Sequence, residues 1–593
     1  MDLLGLRNLT VIRDAVEMIK ENRGIDIDIN KIPSEDPLTC DMLCKGDTVG
    51  VFQSESSGFT NLLVQLHPER FEDLIPMVAL YRPGPLGSGM AEDFISRKHG
   101  KTPIDYPHPL LENILKETYG IILYQEQVMQ IASVMGGFDL GRADLLRRAM
   151  GHKEPEILQA QRELFVNGAK EKNIDTDIAN HVFDLILHFA GYGFNKSHSV
   201  CYGWIAWQTA YLKAHFRPEF MAAMMTCYNG DKNKVSRYIS DTRHAGVIIA
   251  APDINRSEAS FSVKNDTILF GLSGIQNVGE NLVESIIHAR HKSGPFKDLS
   301  DLLMRIDGKG LNTRACESLI KCGAMDSFGY NRRQLLEVLP QALNKMAAEK
   351  NDRDSGQLSL FGGEDKVESI VYPDMEDMSA GEKIDWERKL LGFYVSGHPL
   401  DLYKKELKGC DSIYQIVNNA STFDGRLVKV AGVINRVKSM TTRKGEPMGY
   451  IGIEDYTDTI ESVIFPSAWG KYRYLLTEDN VVCVRGRIQA NERNIQLIAD
   501  LIQPICELKE KTGESEKEVH LFVDENHENG DISQMLAGLL KRHHGTTPVI
   551  LHILRTRQKI QMNESFFLNF TEEAESELKK LLGEACVLLK PHK

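Results

Sequence analysis

No run of apolar residues in this sequence approaches the roughly 18 needed to cross a bilayer, which predicts no membrane partner. The start also reads as a poor leader. Met1-Asp2-Leu3-Leu4-Gly5-Leu6-Arg7 has no basic stretch followed by a long apolar one, so a cytoplasmic location is expected. Cysteine is scarce and scattered, with ten residues in the chain. The closest pairs, Cys40 with Cys44 and Cys316 with Cys322, have no second pair at zinc-site spacing. That predicts no structural zinc and free thiols of a reducing compartment. No repeat of fixed period is present, which excludes a solenoid or propeller. A basic excess is also lacking, since the net charge is −13. Nucleic-acid binding nevertheless depends on local patches and not on the sum. Arg142, Arg147, Arg148 and Lys153 form one such patch, and part of the acidic excess lies between Glu364 and Glu387.

What is present is a long chain of ordinary globular composition: 593 residues, 42% hydrophobic and 26% charged. That length predicts about three to five domains. The first 250 or so residues read mainly as helices broken by Gly/Pro turns. Leu80 to Leu86 carries two prolines and a glycine and predicts a rigid extended turn. Phe138 to Met150 predicts a helix with Asp139 as N-cap and Leu145, Leu146 and Met150 on a buried face. Ser199 to Phe216 predicts another, whose Trp204, Trp207 and Tyr211 read as core. Around 345–385 the pattern turns polar and acidic and predicts a linker. From about 425 the period changes to two. Leu427–Val433, Met448–Glu454, Thr459–Phe465, Val481–Ile488 and Asn494–Ile498 are strand candidates, and five short strands in so small a span predict an OB-type barrel. A small α/β piece follows from about Val519. The fold class is multidomain α+β.

Several segments carry chemistry. Arg147 and Arg148 diverge by about 100° around a helix. Their guanidinium forks suit phosphate, or they form internal ion pairs with Asp144, three and four residues earlier. Gly191 to Ser199 places Lys196, Ser197 and His198 where a helix starts, with its amides exposed. This reads as a phosphate or sugar cradle, or equally as a capped helix with a solvated lysine. Gly274 to Gly279, with Asn277 between them, lies between two helical stretches. It resembles a helix-hairpin-helix, in which backbone N–H groups meet a DNA phosphate without reading sequence. In the barrel candidate, Arg436, Lys438, Arg443 and Lys444 lie near the first strand connection with Tyr450 and Tyr456 nearby. Cations interleaved with aromatics suit single-stranded nucleic acid, although such barrels also bind sugars and proteins. Gln357-Leu358-Ser359-Leu360-Phe361 sits inside the predicted linker. It reads as a docking peptide with apolar anchors and an amide at the pocket rim, or as a strand covering a neighbouring domain.

Taken in order, these strings resemble the C-family bacterial DNA polymerase III alpha subunit. The resemblance rests on Met1–Arg7, Val51–Glu55, Arg82–Leu86, Tyr119–Gln127, Leu146–Gly151, Phe194–Ser199 and Ser396–Leu400, and it covers the C-terminal portion of that protein. It implies the following layout. Residues 1–45 are the end of the palm and a connection, 46–255 the fingers, and 256–340 the helix-hairpin-helix part of a clamp-binding region. Residues 341–418 are a linker with the clamp peptide, 419–510 an OB-fold domain, and 511–593 a C-terminal domain of the kind that contacts the clamp-loader tau subunit. The implied activity is templated nucleotidyl transfer from dNTPs to a primer. The implied partners are primer-template DNA, dNTP, the sliding clamp (beta subunit), tau and the other holoenzyme subunits. Gln357 to Phe361 matches the clamp peptide, and Arg82, Arg147, Arg148, Lys196, Ser197 and His198 fall where the fingers approach the nucleotide. The reaction needs two divalent metals, usually Mg²⁺, held by three palm aspartates. Asp2 matches the third. The Asp-x-Asp pair has no counterpart here, Asp26 and Asp28 read as solvated loop residues, and the N-terminal PHP domain has no match. The chain alone is therefore expected to be catalytically incomplete. The alternatives are a non-catalytic DNA- and clamp-binding module, or an error-prone relative of the same family.

Overall fold

The computed structural model describes residues 5–152, 155–189, 193–306, 311–354, 370–395, 397–418, 420–442, 444–490, 495–505, 517–523, 530–553 and 558–591. It divides into two compact units, residues 1–507 and 508–593.

The first unit begins with helix Arg7–Arg23, whose Val11, Ile12, Ala15 and Ile19 form one buried stripe. It ends at Gly24, where φ is 67°. This left-handed turn suits glycine because it has no Cβ to clash. The stripe packs against helix Arg217–Cys227. Helix Lys196–His215 is the hub, touching helices Pro37–Cys44, Leu74–Leu80 and Arg217–Cys227. Its aromatics are core: Trp207 is fully buried and its indole N–H donates to the Pro33 carbonyl at 2.9 Å. Trp204 meets Phe71 edge-on at 4.9 Å. A tryptophan buries large apolar area at little polar cost only when its N–H finds such an acceptor.

A second helical core spans Leu111 to Phe189. Here helix Leu140–His152 packs between Gln125–Val134 and Pro155–Glu171. Gly168 lets helix Pro155–Glu171 approach the turn after helix Gln125–Val134, because a Cβ there would lie 2.0 Å from the Gly136 carbonyl oxygen. Asp139 caps helix Leu140–His152 as expected, its carboxylate accepting from Arg142 N at 2.8 Å. Leu145 departs from the expectation: it is 45% exposed, while Ala143, Leu146, Ala149 and Met150 face the core. The sequence around Pro83 departs too. Pro83–Gly87 is a short helix with Arg82 as its extended N-cap. Proline is tolerated in a first helical turn, where its missing N–H would have no partner anyway.

Beyond these lies a small three-stranded sheet containing Thr267–Leu269, then a single 3-10 turn, Leu272–Gly274, and helix Glu280–Ser293. One turn replaces the helix expected before the hairpin, since strand residues Thr267–Leu269 leave only a few residues to build it. The stretch read as linker carries the end of helix Arg332–Asp354 and helix Ala380–Leu391. The latter opens with a capping box, Ser379 to Glu382, whose local hydrogen bonds start a helix even in polar sequence.

Strands Leu427–Thr441, Pro447–Glu454, Thr459–Ile464, Val481–Ala490 and Ile495–Pro504 close into a five-stranded barrel. The third and fifth strands pair in parallel, Ser462 opposite Leu497, and all other neighbours are antiparallel. Helix Pro466–Tyr472 lies between the third and fourth strands and adds Trp469 and Tyr472 to the barrel core. Gly449 makes room for it, since a Cβ there would sit 2.3 Å from the Trp469 ring.

The second unit is an α/β layer. Its four-stranded sheet runs Gln558–Gln561, Val549–Ile553, Lys517–Val523, Val587–Pro591, with only the central pair parallel. Helices Gly530–Arg542 and Glu572–Leu582 bury Leu540 and Leu578 against Val519, Leu521 and Val549.

Candidate nucleotide and nucleic-acid sites

Helix Lys196–His215 starts at Asn195, whose side chain accepts from His198 N at 2.9 Å. Lys196, Ser197 and His198 thus occupy its first turn. Just before it, Phe194 forms a parallel bridge with Tyr124, and Gln125 N donates to the Phe194 carbonyl at 2.9 Å. Around this bridged pair of rings three predicted residues gather. The Arg82 guanidinium lies 4.9 Å from the Phe194 centroid. His198 meets Phe194 edge-on at 5.3 Å and stacks on Tyr202 at 4.0 Å. Lys196 Nζ sits 5.8 Å from the Tyr124 ring. Arg82, Ser197 and His198 are exposed and Lys196 is half-buried. Gly191 and Tyr192 lie outside the described residues.

Two carboxylates already serve this cluster. Glu117 accepts from Lys196 Nζ at 2.8 and 2.7 Å. Glu126 accepts from Asn195 Nδ2 at 2.8 Å and from Lys196 N at 3.0 Å, so it sits where the amides and dipole of the helix favour an anion. Burial, reinforced by these two carboxylates, raises the Tyr124 phenol well above its ordinary range. The sequence reading missed Glu117 and Glu126. The usable signal was Glu126 at the start of helix Gln125–Val134, in a string already singled out.

Arg147 and Arg148 both reach Asp144, the first at 2.7 Å and the second at 2.8 Å. The ion pairs anticipated from spacing therefore form, and hydrogen bonding from Arg147 holds the Asp144 carboxyl below its ordinary range. Arg148 remains 66% exposed, which leaves most of its fork free to donate elsewhere.

In the hairpin the two glycines differ. A Cβ on Gly274 would lie 2.7 Å from the Phe270 ring, so its smallness serves packing. Gly279 has open space at that position and is the extended N-cap of helix Glu280–Ser293. Asn277 takes the left-handed conformation, φ 70°, and its amide donates to Ser318 Oγ at 3.1 Å. That side chain holds the hairpin against helix Thr313–Lys321 and so positions the backbone.

On the barrel, Arg436 and Lys438 stand on one face of the first strand, with Gly452 and Tyr450 directly opposite. Arg436 reaches over Gly452 to Glu461 at 2.9 Å. Lys438 and Lys444 are exposed, and Tyr450 is half-buried beside Lys438. Arg443 lies outside the described residues. Tyr456 does not join this group. It packs on His398 at 4.7 Å and donates to Asp401 at 3.2 Å, because its turn folds against the segment from His398 to Asp401. His398 is buried there and its Nδ1 accepts from Leu400 N; burial pushes its pKa down to about 4.

Asp2 and Gln357 to Phe361 lie outside the described residues. Asp26 and Asp28 are exposed loop residues, as expected, paired with Lys20 and Lys31. Among the described residues no group of three or more His, Cys, Asp or Glu could hold a metal ion. No helix among them is long and apolar enough to cross a membrane.

The model of the bacterial DNA polymerase III alpha subunit finger domain matches residues 8–173. A helix-hairpin-helix motif matches 246–335, and an OB-fold nucleic acid binding domain matches 428–505. The DNA polymerase III subunit alpha of Bacillus subtilis is 38% identical over 592 residues, covering 100% of this chain and 52% of that protein. The chain belongs to the DNA polymerase III alpha subunit family. The corresponding protein of Pseudomonas aeruginosa is 39% identical over 621 residues, 99% of this chain and 52% of its own length. That of Thermus aquaticus is 40% identical over 564 residues, 93% and 45% respectively. The chain thus spans about half the length of the curated relatives it matches. In family terms the Phe194 cluster draws Arg82 from the matched finger region, the hairpin falls within the helix-hairpin-helix match, and the Lys438 face lies within the OB-fold match. The last two are nucleic-acid-binding domain types.

Proposed function

We propose that this chain supplies the nucleotide- and DNA-holding part of a DNA-directed DNA polymerase of the replicative, cytoplasmic polymerase III type, acting on a primer-template with dNTPs. The observation that carries the proposal is the gathering of Arg82 and His198 at Phe194, and of Lys196 at its bridge partner Tyr124, in a chain of this family. In this reading the triphosphate takes Lys196 from Glu117 and draws Arg148 away from Asp144. Both pairs lie at the surface and open to solvent, with 38% and 66% exposure at the half-buried Lys196 and the exposed Arg148. Such pairs are worth less than about 1 kcal/mol, so a polyanion with several phosphate oxygens displaces them at small cost. Until then the carboxylates keep the cations aimed. Hairpin amides near Gly279 and the barrel cations Arg436, Lys438 and Lys444 hold the DNA backbone. Mg²⁺ is the proposed ion of the complete reaction, but the described residues assemble no carboxylate set for it, and no step here runs through it.

The test is dNTP affinity, by equilibrium titration with a fluorescent dNTP. Arg148→Ala removes a charge-assisted bond worth about 1.5–3 kcal/mol, so affinity falls about 10- to 150-fold. A second reading, a non-catalytic module that holds DNA and clamp, is favoured by Arg147, Arg148 and Lys196 each already facing a carboxylate. Equal dNTP affinity in wild type and Arg148→Ala would select it.

The clamp peptide remains part of this proposal, with tau and the other holoenzyme subunits as further partners. Replacing Leu360 and Phe361 together by alanine removes two apolar anchors and weakens clamp binding by about 2–4 kcal/mol. Surface plasmon resonance against immobilised clamp reads this directly, and unchanged affinity contradicts the docking role.

A further inference from the structure

Two thiols meet on the outside of the barrel. Cys483 belongs to the outward row of the fourth strand with Arg485 and Arg487, since side chains alternate along a strand. Arg485 and Arg487 are exposed, whereas Cys483 is 2% exposed. It is covered by the segment that leads into the barrel. There Cys410 closes a tight turn, its N–H donating to the Leu407 carbonyl at 3.0 Å, with Gly409 at φ 84°. The next residue is clamped to the first strand: Asp411 N donates to the Lys429 carbonyl at 2.7 Å, and Lys429 N donates to the Asp411 carboxylate at 2.8 Å. The neighbouring first-strand residue, Ala431, is paired with Cys483. Cys410 is thus fixed on both sides and brought beside Cys483 on the outer face of the barrel. It is the half-buried member of the pair, and Lys429 and Asp411 are the charged groups that face it.

We propose that Cys410 and Cys483 are a modification site, a dithiol that reacts with low-molecular-weight disulfides such as oxidised glutathione and closes into an intrachain disulfide. Contact with the Cys483 thiol, aided by Lys429 against burial and Asp411, lowers the Cys410 pKa to about 7. The thiolate is the attacking species. Cys410 thiolate attacks one sulfur of oxidised glutathione, forming a mixed disulfide and releasing one glutathione thiolate. Cys483 loses its proton and attacks the Cys410 sulfur, releasing the second glutathione. One disulfide is reduced to two thiols while two protein thiols become one disulfide. By contrast, burial raises Cys40, Cys44, Cys227, Cys316 and Cys322 above the ordinary thiol range.

The experiment treats the full chain with oxidised glutathione and maps unreduced peptides by mass spectrometry. A peptide linking Cys410 to Cys483 is expected. Its rate of formation should rise about tenfold between pH 6 and pH 8, against about a hundredfold for a thiol at the ordinary value of 9.0. In Cys483→Ala the glutathionyl group should stay on Cys410. Cys410→Ser, at the half-buried position, should abolish the linkage whether or not Cys483→Ala folds. A mixed disulfide that persists on Cys410 in the wild type, or no linkage between the two residues, overturns the proposal.

Discussion

Replacing Lys213 by methionine should destabilise the first unit by about 3–5 kcal/mol, the usual cost of leaving buried charge without its partner. Lys213 is fully buried in the hub helix, and its ammonium lies 2.5 Å from Asp47 and 3.1 Å from Asp241. Arg217 reaches the same two carboxylates. The group ties the hub helix to the loop at Asp47 and to helix Lys232–His244. Burial pushes both acids up. At Asp47 Lys213 and Arg217 outweigh burial and the pKa ends below its ordinary value, while at Asp241 burial wins and it ends above. Asp47 therefore contributes stability above the unfolded carboxylate range that is lost as pH falls through its depressed value. Asp241 favours the fold when protonated, and its contribution declines as pH rises through its elevated value. Without Lys213 both acids move upward. The penalty should accordingly be largest near pH 8 and shrink toward pH 5, where protonation relieves the uncompensated charge. Urea denaturation of wild type and Lys213→Met at both pH values measures this, and a penalty that does not vary with pH contradicts it.

DNA affinity should fall about 10²-fold between 50 and 200 mM salt, the result for about four neutralised phosphates at a slope near 0.9 per contact. The net charge of −13 makes this a demanding test, since a diffuse positive field cannot supply the effect. The cations must be local, and the exposed Lys438 and Lys444 on the barrel are the proposed ones. Lys438→Ala should weaken binding alike on all sequences and lower the slope by about one unit. Fluorescence anisotropy with a labelled primer-template reads both quantities. A flat salt response contradicts the DNA-holding role of the hairpin and the barrel.

Much of this architecture was legible in local pattern. The period-two runs from Leu427 onward gave the five barrel strands, although the first and last extend further than their apolar alternation, to Thr441 and Pro504. Asp139 as a cap and Trp207 as core followed from short-range rules. What escaped notice depends on distance along the chain. Lys213 looks like a stray charge on a helix because its partner Asp47 lies 166 residues away. Glu117 and Glu126 meet Lys196 across 79 and 70 residues, so spacing could not join them. Leu145 faces outward because the core stripe follows Ala143, Leu146, Ala149 and Met150. Pro83 begins a helix because a first turn does not need its N–H.

The central claim is that the residues around Phe194 receive the incoming nucleotide. A photoreactive azido-dNTP, cross-linked to the full chain and mapped by peptide mass spectrometry, tests it most directly. The label should fall on peptides carrying Arg82, Arg147–Arg148 and residues 193–202, and excess unlabelled dNTP should remove it. Labelling elsewhere, or labelling that unlabelled dNTP does not compete away, would contradict the account.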